Sequence, residues 1–133
     1  MIKRLTLLAL FWLAFAAPAV SHSWYDSDCC SGEDCAPALT LPNGEDDVTA
    51  VPGGRIIKSE YGTVFVPDVW MKNNKDKHRP SRDRHVHVCA IDAFSCDDEY
   101  GMSEKCGTPE KDKPPKSDPK RWTVRCVYDP VQQ

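Results

Sequence analysis

Residues 28–35, with the sequence DCCSGEDC, place three cysteines within seven positions beside acidic side chains. Such a cluster could bind a metal ion, exchange thiols or crosslink the chain. Thiol exchange usually requires two cysteines separated by two residues at the start of a helix, and this sequence contains no C-x-x-C motif. A calcium loop counted from Asp26 would need an oxygen ligand at its fifth position and glutamate at its twelfth, but these positions hold Cys30 and Pro37. The cluster is therefore predicted to crosslink the chain.

All the cysteines are candidates for disulfide bonds. They are Cys29, Cys30, Cys35, Cys89, Cys96, Cys106 and Cys126. Because seven is an odd number, at least one is expected to be free, joined to another molecule or bound to another group. Cys96 and Cys106 are the predicted local pair, because they would close a loop of about ten residues. A bond between adjacent Cys29 and Cys30 would be strained, so each is expected to bond elsewhere, with Cys89 and Cys126 as candidate partners. The rest of the connectivity stays open.

The segment HVHVC, residues 85–89, is the main candidate for metal binding. Alternate residues of a β-strand share a face, so His85, His87 and Cys89 would present two imidazoles and a thiolate to zinc or copper. If Cys89 is oxidised, only the two histidines remain. His22, near the expected mature N-terminus, could supply further nitrogen ligands to copper. The preferred interpretation includes no cofactor, and the alternative is a periplasmic copper- or zinc-binding protein that uses His87 with His85 or His22.

Catalytic residues are not indicated by the sequence. Serine, histidine and aspartate all occur, but no G-x-S-x-G frame surrounds a serine. His87 and Cys89 would lie about 7 Å apart on one strand, which is too far for the histidine to activate the thiol. We therefore expect a protein that is not an enzyme.

The first residues, MIKRLTLLALFWLAFAAPAVSHS, have the layout of a secretory signal peptide, with two basic residues, an apolar run and small residues. The apolar run, residues 5–17, is shorter than the ~20 residues that span a bilayer, and no transmembrane segment is expected after cleavage. Cleavage is predicted after Ala16, Ala19 or Ser21. We take 1–21 as the signal peptide and 22–133 as a single small disulfide-rich domain, secreted or periplasmic, in a compartment that favours disulfides.

A basic stretch and two aromatic residues form a possible recognition surface. Its members are Trp24, Tyr25, Lys72, Lys75, Lys77, Arg79, Arg82 and Arg84. The basic residues could bind an anionic envelope component, and another protein is the other candidate partner, although a solvated loop is the preferred interpretation. Trp24 and Tyr25 are expected to pack over the disulfides. The full chain has a net charge of −3, which does not indicate nucleic acid as a partner.

Short runs of β-branched residues separated by Gly, Pro, Asn and Asp predict a mainly β domain. The predicted strands cover residues 47–51, 55–59, 63–67, 84–91 and 121–128. Turns at 52–54 and 60–62 would join the first three strands into a meander. Residues 97–120, rich in proline and charge, are predicted to be a flexible excursion. The expected fold is a small disulfide-stabilised antiparallel sheet or partly closed barrel with long loops.

The last two predicted strands alternate clearly enough for their faces to be assigned. In the strand 84–91, one face carries His85, His87, Cys89 and Ile91, and the other carries Val86, Val88 and Ala90. In the strand 121–128, the predicted buried face carries Trp122, Val124, Cys126 and Tyr128, opposite Arg121, Thr123 and Arg125. A disulfide partner of Cys126 is therefore expected on that buried face.

The opening HSWYDSDCCSGEDCAP, residues 22–37, and the later SRDRHVHVC, residues 81–89, carry a family resemblance. The chain is similar to small secreted alphaproteobacterial proteins of unknown function that begin with H-x-W-Y, continue with C-C-S-G-x-D-C and carry a later H-x-C. The matching residues are His22, Trp24, Tyr25, Cys29, Cys30, Ser31, Gly32, Asp34, Cys35, Ser81, Asp83, His87, Cys89, Cys126 and Pro130. The insertion around Cys96 and Cys106 and the ending CVYDP depart from the pattern. The resemblance implies a compact, crosslinked secreted domain and no activity, so we expect a non-catalytic binding or structural module of the cell envelope.

Overall fold

The computed structural model describes residues 24–29, 35–96 and 104–131. Its strands are β1 (Cys35–Pro37), β2 (Val48–Val51), β3 (Gly54–Lys58), β4 (Thr63–Pro67), β5 (His78–Pro80), β6 (His87–Asp92) and β7 (Trp122–Asp129). A short helix, α1 (Asp68–Asn73), follows β4, and single 3-10 turns occur at Lys75–Lys77, Glu110–Asp112 and Pro119–Arg121. None of the described helices is long and apolar enough to cross a membrane. The predicted signal peptide, His22 and Cys30 lie outside the described residues.

The described strands form two sheets. A four-stranded sheet has the order β1-β6-β7-β5, and a three-stranded sheet has the order β2-β3-β4. Neighbouring strands are antiparallel except β5 and β7, which are parallel. The predicted mainly β, disulfide-stabilised fold is therefore confirmed, but the sheets do not close into a barrel.

The predicted meander is the three-stranded sheet. Its first turn uses Gly53 at φ 81°, a left-handed conformation that glycine adopts without strain. Across its second turn, Ser59 and Gly62 exchange backbone hydrogen bonds. Gly62 has φ 156° and lies against the Lys116 carbonyl and the Trp122 ring, so a side chain here would overlap both. The second turn therefore packs closely against the start of β7 and the segment before it.

Three short elements are missing from the sequence-based prediction, namely β1, β5 and α1. A strand of three residues, such as β1 or β5, is too short for side-chain alternation to reveal it. The partners of these strands, β6 and β7, lie far away in the sequence. β5 ends in Pro80 and lies at the edge of its sheet, where a residue without an N–H group is tolerated. Long-range pairing, not local preference, creates both strands.

A β-bulge in β7 changes which of its residues share a face. Cys89 pairs with Cys126, but the next residue of β6, Ala90, pairs with Val124, so Arg125 is an extra residue in β7. An extra residue reverses the alternation of the residues beyond it. The predicted single face across the whole strand is therefore wrong.

The described residues contain two cores. The first, which we call the aliphatic cluster, consists of Ala38, Ile57, Val64, Val66, Val86, Val88, Ala90 and Val127, with Trp122 and Val124 among the residues packed against it. The second, which we call the disulfide cluster, consists of Cys29, Cys35, Cys89, Cys126 and Tyr128, with Trp24 and Tyr25 packed against it. Trp122 and Val124 thus contact a different core from Cys126 and Tyr128. Trp24 and Tyr25 pack over the disulfides, as predicted.

Disulfide bonds join all six described cysteines. Cys29 bonds Cys126, Cys35 bonds Cys89, and Cys96 bonds Cys106. The last bond is the predicted local pair, and Cys126 is one of the two candidate partners of Cys29. Because Cys89 and Cys126 are paired neighbours on β6 and β7, the first two bonds attach residues 24–29 and β1 to the middle of the four-stranded sheet.

Arg121 is buried, although strand alternation places it opposite the predicted buried face. Its guanidinium lies 2.9 Å from the Asp92 carboxylate and 2.8 Å from the Glu110 carboxylate, and it donates a hydrogen bond to the Pro114 carbonyl. Arg121 belongs to the 3-10 turn before β7, so strand alternation does not apply to it. These contacts hold Glu110 and Pro114, from the predicted excursion, against the end of β6.

Candidate functional site

His87 is the centre of a chain of hydrogen bonds beside the disulfide cluster. The side chain is fully buried, its Nδ1 lies 2.6 Å from the Tyr25 hydroxyl, and its Nε2 lies 2.7 Å from Asp83 Oδ1. A carboxylate can only accept, so Nε2 of the imidazole donates to Asp83, and Nδ1 is the hydrogen-bond partner of the Tyr25 hydroxyl. Both ring nitrogens of His87 are therefore used within the protein.

The order of carboxylate, imidazole and hydroxyl resembles the arrangement that activates a nucleophile in hydrolases, but the environment opposes this chemistry. Burial raises the pKa of the Tyr25 hydroxyl well above its ordinary value, and the charge of Asp83 raises it further. Burial would also raise the pKa of Asp83, but hydrogen bonds from His87 and the His85 backbone hold it below its ordinary value. A phenol that keeps its proton is a poor nucleophile. The hydrogen bonds instead attach Tyr25 to the sheet.

Ion pairs attach residues 24–29, which we call the N-terminal segment, to β5 and to the 3-10 turn before it. The Arg79 guanidinium contacts the carboxylates of Asp26 and Asp28, and the Lys77 ammonium lies 2.6 Å from Asp28. Hydrogen bonds from Lys77 and then Arg79 lower the pKa of Asp28 to about 2. Lys77 and Arg79, both members of the predicted recognition surface, therefore make contacts that hold the protein together.

A pocket of about 230 Å³ lies beside these ion pairs, and we call it the Trp24 pocket. Its lining residues are Trp24, Asp26, Arg79, Pro80, Ser81, Arg82 and Tyr128. The Arg82 guanidinium lies over the Trp24 ring, 5.7 Å from the ring centroid, which is a cation–π contact. Three members of the predicted recognition surface thus meet here. Lys72, Lys75 and Arg84, also predicted, are exposed and do not line the pocket.

A polar cluster behind Ser81 joins the two sheets. Asp129 Oδ2, at the end of β7, accepts from Arg55 of β3 at 2.7 Å and lies 2.6 Å from His78 Nε2 of β5. The Ser81 backbone N–H donates to the Asp129 carbonyl at 2.7 Å. Three buried side-chain atoms here, Arg55 Nε, Asp129 Oδ1 and Ser81 Oγ, have no hydrogen-bond partner within the described part of the chain. This polar cluster next to the Trp24 pocket therefore has hydrogen-bonding groups that are not yet used.

The predicted metal ligands that the structure describes, His85, His87 and Cys89, do not form a metal site. His85 Nδ1 lies 2.8 Å from Asp46, and this hydrogen bond raises the pKa of His85, whereas His87 contacts other residues. Cys89 is in a disulfide, so it offers no thiolate. Within the described ranges, no group of three His, Cys, Asp or Glu side chains is arranged to hold a metal ion. Metal binding through His22 stays a prediction, because His22 lies outside those ranges.

A larger concavity, of about 570 Å³, has a mainly apolar lining, and we call it the aromatic groove. Its lining residues are Ile56, Phe65, Pro67, Trp70, Asp118, Pro119, Lys120, Trp122, Thr123 and Val124. Ile56 and Phe65 are paired neighbours on β3 and β4. Because the next residue of β3, Ile57, and the preceding residue of β4, Val64, point into the aliphatic cluster, Ile56 and Phe65 lie on the other face of the meander.

Trp70 and Trp122 supply the two largest rings of the aromatic groove. Trp70 lies on α1, and its carbonyl accepts hydrogen bonds from the backbone and the side chain of Asn74. The indole N–H of Trp122, at the start of β7, donates to the Lys116 carbonyl at 3.0 Å. Both tryptophans also pack against the aliphatic cluster. The shape of the groove is therefore held by the core and by local hydrogen bonds.

Sequence reasoning did not identify the aromatic groove. Its lining comes from β3, β4, α1, the 3-10 turn at Pro119–Arg121 and β7, which are distant in sequence. One signal was available, because Trp70 lies outside every predicted strand and tryptophan is enriched at binding interfaces. A single tryptophan does not reveal the rest of the lining, which depends on the packing of the two sheets.

Comparison with known proteins does not assign a function. The chain matches no protein-family model, no curated protein and no solved structure. The resemblance to small secreted proteins therefore stays a prediction. The aromatic groove and the Trp24 pocket are the features from which a function can be argued.

Proposed function

We propose that the protein is an exported, non-catalytic binding module of the cell envelope that binds an extended, proline-rich segment of a partner protein in the aromatic groove. The lining of this groove carries the proposal, because two tryptophans, a phenylalanine and two prolines surround about 570 Å³. Ligand sites in proteins usually enclose about 300–1,000 Å³ and have mainly apolar linings.

Aromatic lining favours a proline-rich occupant. Grooves lined by aromatic side chains bind proline-rich segments in several families of peptide-binding domains. Such segments form the polyproline II helix, which is extended before it binds and leaves its backbone carbonyls free to accept hydrogen bonds. Little conformational entropy is then lost on binding. The rings of Trp70 and Trp122 offer apolar surfaces against which prolines can pack.

The charges at the groove favour an uncharged segment. Asp118 and Lys120 are its charged lining residues, so one negative and one positive charge face the ligand. The Asp118 carboxylate also accepts from the Lys120 backbone N–H at 2.9 Å, which caps the 3-10 turn. A strongly acidic or strongly basic partner would therefore gain little from this surface.

Other features support export and a non-catalytic role. The described residues contain three disulfides, which are typical of chains that fold in an oxidising compartment, and the N-terminal sequence has the layout of a signal peptide. His78, His85 and His87 each contact an aspartate, so these histidines serve the structure. The buried hydroxyl of Tyr25 keeps its proton, and it offers no nucleophile.

Titration with an acetylated decaproline peptide tests the proposal. The readout is the set of indole N–H signals of Trp24, Trp70 and Trp122 in a proton–nitrogen correlation spectrum of the oxidised protein, assigned with Trp→Phe variants. We expect saturable shifts of the Trp70 and Trp122 signals, while Trp24, in the separate pocket, stays unchanged. Trp70→Ala should weaken binding by about tenfold, as expected for the loss of a central aromatic contact.

Val69→Ala is the matched control. Val69 lies beside Trp70 on α1, but it is 64% exposed and does not line the groove. Equal weakening by the two variants, or no saturable shift of either groove tryptophan, would contradict binding in the groove and would favour a structural role in the envelope. Circular dichroism of both variants checks that the fold is retained.

A further inference from the structure

We infer that the Trp24 pocket is a second binding site, which takes the carboxylate of a small ligand that also carries a flat apolar group. The pocket shares no lining residue with the aromatic groove. It also differs in charge, because it is lined by two guanidinium groups and one carboxylate. The two sites therefore select different ligands.

Arg82 is the cation available to this ligand. Its guanidinium lies over the Trp24 ring, and no carboxylate of the described residues forms an ion pair with it. A guanidinium presents parallel N–H groups that match the two oxygens of a carboxylate. The ring contact restricts where the guanidinium lies, so Arg82 is oriented at the pocket before a ligand arrives.

Arg79, the other arginine of the pocket, is already paired with carboxylates of the protein. Its terminal nitrogens contact Asp26 and Asp28, and its Nε donates to the Asp76 carbonyl at 2.7 Å. The lining groups Arg79, Arg82 and Asp26 leave one net positive charge. This charge matches a monoanion, whereas a doubly charged phosphate would meet the Asp26 carboxylate with one charge uncompensated.

The Ser81 hydroxyl offers a second polar contact. Ser81 lines the pocket, and its Oγ is buried without a hydrogen-bond partner within the described residues. An unpaired buried hydroxyl is unfavourable, and rotation about χ1 moves a serine hydroxyl among three staggered positions. A carboxylate has two oxygens, so it can accept from Arg82 through one and from Ser81 through the other.

The uncharged part of the lining favours a flat apolar group on the ligand. Trp24, Pro80 and Tyr128 provide this part. The rings of Trp24 and Tyr128 meet edge to face with centroids 5.2 Å apart, and Tyr128 is almost completely buried. These rings are therefore fixed by packing. A volume of about 230 Å³ lies below the range of drug-sized sites, which suits a ligand with one ring.

Benzoate is the probe for this site, and benzamide is its uncharged analogue of similar shape. In the oxidised protein, we expect benzoate to shift the Trp24 indole N–H signal saturably and to leave the Trp70 and Trp122 signals unchanged. Benzamide should bind about tenfold more weakly, because it lacks the charge that pairs with Arg82. Arg82→Gln should weaken benzoate binding by a similar factor, and Ser81→Ala should weaken it severalfold.

Arg84→Gln is the matched control, because Arg84 is an exposed arginine two residues away that does not line the pocket. The inference is overturned if benzoate gives no saturable Trp24 shift, if benzamide binds equally well, or if the two arginine variants weaken binding equally. Ser81→Ala removes a single hydroxyl and keeps the test valid if Arg82→Gln disturbs the packing of Trp24. Separate tryptophans report on the two sites, so this result is independent of decaproline binding in the groove.

Discussion

The two cores of this protein are stabilised by different interactions. The aliphatic cluster consists of buried aliphatic side chains, many of them from β3, β4, β6 and β7, and it depends on the removal of apolar surface from water. The disulfide cluster consists of four cysteines and Tyr128. Around it, residues 24–29 contain no strand or helix, and they are held by the Cys29–Cys126 bond, ion pairs and the hydrogen bonds of His87.

This difference follows from what each part of the chain can bury. Val64 and Val66 alternate along β4 and lie on the same face as Ile57 of β3, so this face of the meander buries several β-branched side chains. Residues 24–29, with the sequence WYDSDC, contain two aromatic and two acidic residues and make no strand pairing. A small domain buries limited apolar surface, and crosslinks supply the missing stability. The two regions should therefore respond to different perturbations.

The largest expected effect is the loss of the long-range disulfide at the disulfide cluster. The double variant Cys29→Ser and Cys126→Ser removes a bond between residues 97 positions apart. Because the Cys35–Cys89 bond remains, the loop that Cys29–Cys126 closes is effectively about 43 residues long, which is worth about 4 kcal/mol in the chain-entropy model. We expect the free energy of unfolding, measured by urea denaturation of the otherwise oxidised protein, to fall by about this amount.

The matched control is Cys96→Ser with Cys106→Ser, which opens a bond between residues only 10 positions apart. In the same model, closing this loop stabilises the folded protein by somewhat under ~3 kcal/mol. If both double variants lost the same stability, loop length would not explain the importance of Cys29–Cys126. The long-range crosslink would then not be the reason that the disulfide cluster is stable.

The next effect concerns the aliphatic cluster. Ile57 is fully buried, and Ile57→Ala removes three carbon atoms and leaves a cavity, which costs about 2–5 kcal/mol. If the two cores are independent, this loss should be the same within about 0.5 kcal/mol in the wild-type protein and in the variant without Cys29–Cys126. Urea denaturation of the four proteins in this cycle measures the coupling.

Val69→Ala is the control for this cycle. Val69 is 64% exposed, and a substitution on the surface usually changes stability by less than about 0.5 kcal/mol. A coupling much larger than the additivity limit would show that the two cores act as one unit. The strands β6 and β7, which contribute to both clusters, would then couple the stability of one core to that of the other.

The smallest expected effect is a dependence on acid at the N-terminal segment. The folded protein holds the pKa of Asp28 at about 2, below its ordinary value of 3.8. The ion pairs of Asp28 therefore add stability above about pH 4, and this contribution is lost as the pH falls through about 2. Asp28→Asn should lower stability at neutral pH and flatten its change between pH 4 and 2, as measured by urea midpoints across this range.

Asp68→Asn is the control for this experiment, because Asp68 is an exposed carboxylate on α1 that takes part in none of these ion pairs. If Asp68→Asn flattened the acid dependence as much as Asp28→Asn, the effect would reflect total charge. Stability in acid would then not depend specifically on the ion pairs of residues 24–29.

Much of the strand content could be predicted from local patterns. The meander at β2, β3 and β4 follows from β-branched runs separated by turn residues, and its observed bounds differ from the predicted ones by one residue or less at each end. The alternation of the predicted strand 84–91 correctly separates Val86, Val88 and Ala90 from Cys89. The same alternation assigns the wrong face to part of β7. The bulge at Arg125 arises from pairing with β6, and the pattern of apolar residues in β7 does not reveal it.

The candidate sites were predicted less completely. Trp24 and Arg82 belong to the predicted recognition surface, but nothing in their spacing places the Arg82 guanidinium over the Trp24 ring. The predicted surface also includes Lys77 and Arg79, yet both side chains form ion pairs with Asp26 or Asp28, about fifty residues earlier. Charge along a sequence does not report which cations are neutralised by distant acids.

Local sequence patterns are enough to predict the local properties of this protein. β-branched runs between turn residues specify short strands, the cysteine cluster at 28–35 favours crosslinking over redox chemistry, and the spacing of Cys96 and Cys106 identifies a local bond. The tertiary structure alone decided which distant cysteines pair, where β7 changes face, and which residues meet in the aromatic groove and the Trp24 pocket. Local preferences act over a few residues, whereas these features depend on contacts between segments tens of residues apart, and such contacts form only when the whole domain folds.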